Sequence, residues 1–226
     1  IDKYPVRYPH YKLTKERLTQ ILSYLRKAEK YADVIYSTPN TSELALRPYG
    51  IYPIFVDTQV IELDESQREI PKIVHIPSNR DTKGTVHVIQ AVEAIRREHP
   101  EVKFEFEILE NIPNHQAMDA YKNSDIVVGQ MYGLGRARQG MEVLASGTIL
   151  MTNLQPILSR GQKHFDENPA IIVDENNLKD KLLQLIPDLE RRKELAKTGR
   201  PFIQKYHSVE FVCNLIFEHT AFKDIR

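Results

Sequence analysis

Residues 72–85 read KIVHIPSNRDTKGT. A short β-rich run ends at Pro77, and a polar loop follows it directly. This predicts a strand over 72–77, a loop over 78–85 and a helix over 84–98. The same alternation recurs downstream. Strands are expected at 103–109 (KFEFEIL), 125–129 (DIVVG), 148–152 (TILMT) and 170–173 (AIIV). Helices are expected at 114–123, 137–146, 178–186, 189–205 and 208–219. Strands joined by helices of this length require βαβ crossovers. The expected fold is therefore α/β, a Rossmann-like parallel sheet with helices on both faces. Ligands of such sheets sit beyond the carboxyl ends of the strands, so the chemistry is sought in the loops that follow them.

Upstream the pattern differs. Residues 12–31 carry Leu13, Leu18, Ile21, Leu22 and Leu25 at helical spacing. ADVIYSTP (32–39) and IYPIFVD (51–57) read as short strands, with a short helix expected over 42–47. The polar, acidic stretch TQVIELDESQREIP (58–71) reads as a linker, and nothing before Pro71 is expected inside the main sheet.

Lys plus Arg and Asp plus Glu both number 31, so the formal net charge is zero. A nucleic-acid partner is not expected, because the basic excess such binding uses is missing. Any anion must be held by a local site. The lone cysteine, Cys213, rules out an intramolecular disulfide and fits a reducing, cytoplasmic compartment. It reads as a buried small hydrophobe on a helix face. No apolar run reaches the length of a membrane span, and no signal peptide is visible. The first residue is Ile1, which predicts a fragment or a processed form.

Three loops carry candidate chemistry. In the first, Ser78, Arg80, Lys83 and Gly84 precede a helix whose free N–H groups and dipole favour an anion. Arg offers a planar fork to phosphate oxygens, Lys a point charge, and Gly84 lets a ligand come close. The alternative is a solvated basic loop. In the second, GQMYGLGRARQGMEVLASG (129–147), Gly133 and Gly135 allow tight turns whose N–H groups can face a diphosphate, with Arg136 and Arg138 nearby. Glu142 stands in an otherwise apolar helix and needs a partner, which a ribose diol would supply. The alternative is a Glu on the solvent face. In the third, Ile112 and Pro113 follow a strand end, where an apolar residue and exposed backbone can lie against a nucleobase. A plain strand-to-helix turn explains them equally well. His75 reads as a packed or capped histidine.

These stretches, RDTKGT, LENIPN, YKNSDIVV, YGLGRARQG and MEVLASGTIL, occur in the order found in retaining GT-B glycosyltransferases of the family-4 type. The resemblance covers about residues 72–207. Tyr121 and Asp125 match the start of one of that family's strands, a match that packing and capping also explain. Residues 30–57 resemble the end of the family's first domain and its hinge, and 208–219 its C-terminal helix. The resemblance implies three parts: 1–70, the end of an acceptor-side domain and a linker; 71–207, a nucleotide-sugar-binding domain; and 208–226, a C-terminal helix packing back on the first part. It implies that the chain is the C-terminal half of a GT-B fold.

The resemblance implies that Arg80 and Lys83 are the catalytic cations at the diphosphate. Ser78, Gly84, Ile112, Gly133, Gly135, Arg136 and Glu142 would hold the donor. The donor is a nucleoside diphosphate sugar, and no separate cofactor or metal is required. The acceptor is a glycan, lipid or protein fixed by the first domain, and the full-length protein is expected to associate peripherally with membrane. Two positions depart from the pattern. Leu134 stands where the family has a Glu near the transferred sugar, and Ala137 replaces a loop glycine. A catalytically inactive GT-B-like nucleotide-binding or scaffold subunit is the second reading.

Overall fold

A computed structural model of the chain describes residues 14–37, 44–51, 54–132, 137–154 and 167–219. Its core is a five-stranded, fully parallel sheet built from β3 (Lys72–His75), β4 (Glu105–Ile108), β5 (Ile126–Val128), β6 (Ile149–Thr152) and β7 (Ile171–Ile172), in the order β4-β3-β5-β6-β7. Each expected strand is present, shortened by a residue or more at its ends. The two preceding strands, β1 (Tyr36–Ser37) and β2 (Gly50–Ile51), pair in parallel with each other and stay outside this sheet.

Period-two alternation sends side chains to two separate cores. Val74, Val127 and Leu150 face one side. They pack there with α4 (Asn114–Lys122), α5 (Ala137–Ala145) and α7 (Leu189–Tyr206), through Tyr121, Val143 and Ile203. Ile73, Ile126, Val128 and Met151 face the other side, under α3 (Thr85–Glu98) and α6 (Leu178–Leu185), where Val88, Ile95 and Leu182 are fully buried. Helices thus cover both faces, as a parallel sheet with two apolar faces demands.

Three expectations are corrected. Residues 44–47 form turns and bends, not part of a helix over 42–47; residues 42 and 43 lie outside the described residues. The strand expected over 51–57 is confined to Gly50–Ile51, and 54–57 run unpaired in any sheet. Cys213 is exposed, because its neighbour Val212 takes the inward position on α8 (Val209–His219).

The stretch 54–70 lies along the sheet unit and is pinned to it. Val56 and Ile61 are buried in the first core. The Val56 amide donates to His207 O at 2.9 Å, and His207 Nδ1 meets Ile54 O at the same distance. On α7, Arg200 donates to Ala145 O at 2.8 Å, Thr58 O at 3.0 Å and Ile61 O. Fully buried Arg192 reaches Leu185 O at 3.1 Å, Arg68 O at 2.6 Å and Ile186 O. Asp125, with no solvent exposure, accepts from the Arg68 amide at 2.7 Å, its guanidinium at 2.9 Å and the Lys72 amide at 2.7 Å. Among the described residues no helix is long and apolar enough to cross a membrane.

Candidate functional site

The chain leaves β3 to form β4 on one side and returns to form β5 on the other. That reversal opens a crevice at the carboxyl ends of β3 and β5, where ligands of doubly wound sheets bind. The loop after β3 holds a short helix, α2 (Arg80–Lys83), that the sequence did not announce. Asn79 caps it, its side chain accepting from the Thr82 amide at 2.9 Å, and Gly84 ends it at φ 64°. Gly84 is required twice over: that left-handed φ disfavours any side chain, and a Cβ there would stand 2.6 Å from Met131 Cβ. The room at Gly84 is thus taken by the chain itself.

Lys83 points across the crevice. Its residue is 91% buried in effect, at 9% relative exposure, and its ammonium donates to Gln139 Oε1 at 2.8 Å and Gln130 Oε1 at 3.5 Å. No carboxylate contacts it among the described residues. Burial alone pushes its pKa down to about 8. The contact joins loops 56 residues apart, so the first candidate loop and the start of α5 share one crevice.

Arg80 is engaged differently. Contrary to the expectation that only Asp81 was near enough to pair with it, Arg80 forms a fork with Glu110 at the end of β4, with Nε–Oε1 2.9 Å and Nη2–Oε2 2.6 Å. This pair raises the Arg80 pKa and lowers that of Glu110. The Nη1 edge remains for another anion. Arg80 and Gly84 also line a groove of about 270 Å³ with Thr85, Ile89 and Tyr132. Ser78 is exposed beyond β3. Ile112 is half-buried against the first core, just after Asn111, whose φ is 55°.

Glu142 is buried, and one carboxylate oxygen accepts from Arg138 Nε at 3.0 Å, so it is not the free acceptor the sequence implied. Its charge adds to burial in raising the Tyr121 phenol to about 12. Gly133, Gly135, Arg136 and Leu134 lie outside the described residues. His75 is a structural residue. Its Nδ1 donates to Val128 O at 2.7 Å, which leaves Nε2 to accept from the Thr85 hydroxyl at 2.9 Å. It ties β3, β5 and the first residue of α3 together.

Ala137 takes up φ 53° at the start of α5, a left-handed conformation that costs a non-glycine residue about 1–2 kcal/mol. Ala137→Gly removes that strain and loses roughly 0.5–1 kcal/mol through the unfolded chain. A net gain of about 0.5–1 kcal/mol is expected, read as a higher melting temperature; a lower one would show that the backbone is unstrained there.

Sequence reasoning did not pick out Gln139, Gln130 or Glu110. Gln139 left one trace, an amide three residues before Glu142 in a helix that is otherwise apolar from Gly140 to Ala145.

No family profile matches the chain, and no curated protein matches it. Solved structures do. S. aureus TarM, in a complex with fondaparinux, α-GlcNAc-glycerol and UDP, is 15% identical with a TM-score of 0.67, over 90% of this chain and 46% of that one. Sucrose-phosphate synthase from Thermosynechococcus elongatus is 14% identical with a TM-score of 0.65, over 95% and 62%. Anabaena HepE, solved with UDP and glucose, is 12% identical with a TM-score of 0.62, over 92% and 69%. The chain thus spans about half the length of TarM. These structural neighbours are GT-B glycosyltransferases, and the chain has the fold of their Rossmann-like half.

Proposed function

We propose that this chain is part of a retaining glycosyltransferase of the family-4 type, in which 71–207 bind a nucleoside diphosphate sugar. The sugar passes to a glycan, lipid or protein acceptor fixed by the acceptor-side domain, of which 1–70 are the end. The observation that carries the reading is Lys83: a nearly buried ammonium at the switch point of a parallel sheet, bonded by two neutral amides and no carboxylate. A desolvated cation without a counter-ion is a site for an anion. The neighbours solved with UDP supply the class of anion.

In this reading Lys83 and the open Nη1 edge of Arg80 meet the diphosphate and stabilise the negative charge that develops as it leaves. Glu142 turns from Arg138 to the ribose, Ile112 lies by the base, and Gly133, Gly135 and Arg136 close the phosphate side. Lys83→Ala is expected to weaken a nucleoside diphosphate by about ten- to a hundredfold, the worth of one charged hydrogen bond, and to leave the bare nucleoside unchanged. Titration calorimetry in which both ligands weaken equally would sink the reading.

A non-catalytic nucleotide-binding subunit is favoured by one observation, Leu134 at the position of the family's Glu. Donor binding without donor hydrolysis or transfer by the full-length protein would decide for it.

A further inference from the structure

Lys83 is held by a side chain that does not neutralise it, and the holding group is itself fixed by separate bonds. Gln139 Nε2 donates to Ile76 O at 3.0 Å, just beyond the end of β3. A carbonyl accepts only from a donor, so this bond turns the amide one way and aims Oε1 at the Lys83 ammonium, 2.8 Å distant. The Tyr121 phenol hydrogen-bonds the same side chain. The backbone of Gln139 lies in the first turn of α5, three residues before Glu142.

We infer that Gln139 is a positioning residue, which orients the Lys83 ammonium in the crevice while leaving its charge to be met by the phosphate of the ligand. The inference rests on the reading of Lys83 as the diphosphate's cation. A carboxylate at 139 would orient the ammonium as well, but it would occupy the charge and repel the incoming anion. An apolar residue would leave the charge free and the side chain loose. Glutamine alone among side chains of this length both donates to Ile76 O and accepts from Lys83 without bringing charge.

The groups that surround Lys83 electrostatically are few. His75 on β3 is neutral, its pKa being down near 4. Arg80 on α2 is paired with Glu110 of the β4 end, and Arg138 and Glu142 of α5 pair with each other. None supplies a counter-charge that would mask a change at 139.

The test is titration calorimetry on the full chain from about pH 7 to about pH 9.5, above the phosphate and histidine range. UDP, GDP, ADP, CDP and dTDP serve as probes, with the wild type, Lys83→Ala, Gln139→Met and Gln139→Glu compared. Wild-type affinity is expected to fall as pH rises through about 8, with a proton taken up on binding, because the ligand favours charged Lys83. Gln139→Glu should weaken binding about tenfold or more and flatten the pH profile, since the introduced carboxylate keeps Lys83 charged throughout. Gln139→Met loses the same donor to Ile76 O without adding charge. It should weaken binding only a few fold and move the fall in affinity to lower pH. A merely structural role for Gln139 would lower affinity without moving that midpoint. Should Lys83→Ala abolish binding while Gln139→Glu binds as tightly as the wild type with the same pH profile, the inference is overturned and the glycosyltransferase reading stands. Should no diphosphate bind the wild type, both fall.

Discussion

Asp125→Ala is expected to cost about 3–5 kcal/mol of folding free energy, the largest single-residue loss foreseen here. The carboxylate has no solvent exposure and accepts three hydrogen bonds, two of them from backbone amides in 68–72. Removing it strands those donors against the start of β5. Urea unfolding reads the loss as a lower midpoint at unchanged slope. Asp125→Asn should recover only part of it, because an amide accepts at one oxygen. Arg68→Ala, which removes the half-exposed partner and leaves both amide bonds, should cost less than about 1 kcal/mol. Equal losses for Asp125→Ala and Arg68→Ala would mean that the ion pair, not the backbone bonding, matters.

The second large effect is a pH dependence of stability set by His75. Burial pushes its pKa from 6.5 down to about 4, and the positive charges of Lys83 and Arg80 push the same way, against the bond to Val128 O. The folded chain therefore refuses a proton that the unfolded chain accepts below about pH 6.5. The contribution is fully present above that pH and is lost as pH falls toward about 4. The interval spans roughly 2.5 in pH, which is about 3 kcal/mol at the lower end. Urea unfolding between about pH 4 and about pH 7.5 measures it against His75→Gln, which does not titrate. The difference between the two proteins should change steadily across the window. A constant offset would mean that His75 protonates within the fold at no cost, and that its bonds to Val128 and Thr85 open readily.

The sheet was legible because its strands are apolar on both faces and each is punctuated by a polar loop. KIVH, IVV and ILMT leave no room for another period. The short helix α2 was not, since four residues of RDTK carry no periodicity and only the Asn79 cap and the left-handed Gly84 define it. Arg80 and Lys83 were recognisable as a cationic pair, but their fates separate for reasons no local pattern holds. Arg80 meets Glu110 only because β4 lies beside β3, and Lys83 meets Gln139 only because β5 lies on the other side. Leu25 and Val212 were read correctly as inward-facing, or fell beside residues that were; Cys213, one step round the helix from Val212, went to solvent.

The bonds from Val56 to His207 and from His207 to Ile54 bring the two ends of the stretch 54–207 side by side. Topologically the stretch is an insert whose base is already closed. It occupies, in whatever chain carries it, the footprint of a single connection. The entropy of bringing its ends together is met by its own packing and asks nothing of its host. Such a module can be excised, permuted or grafted at a surface loop without stretching the surrounding backbone. Its ancestry and that of its flanks are free to diverge, since the seam between them is only two strands of backbone wide.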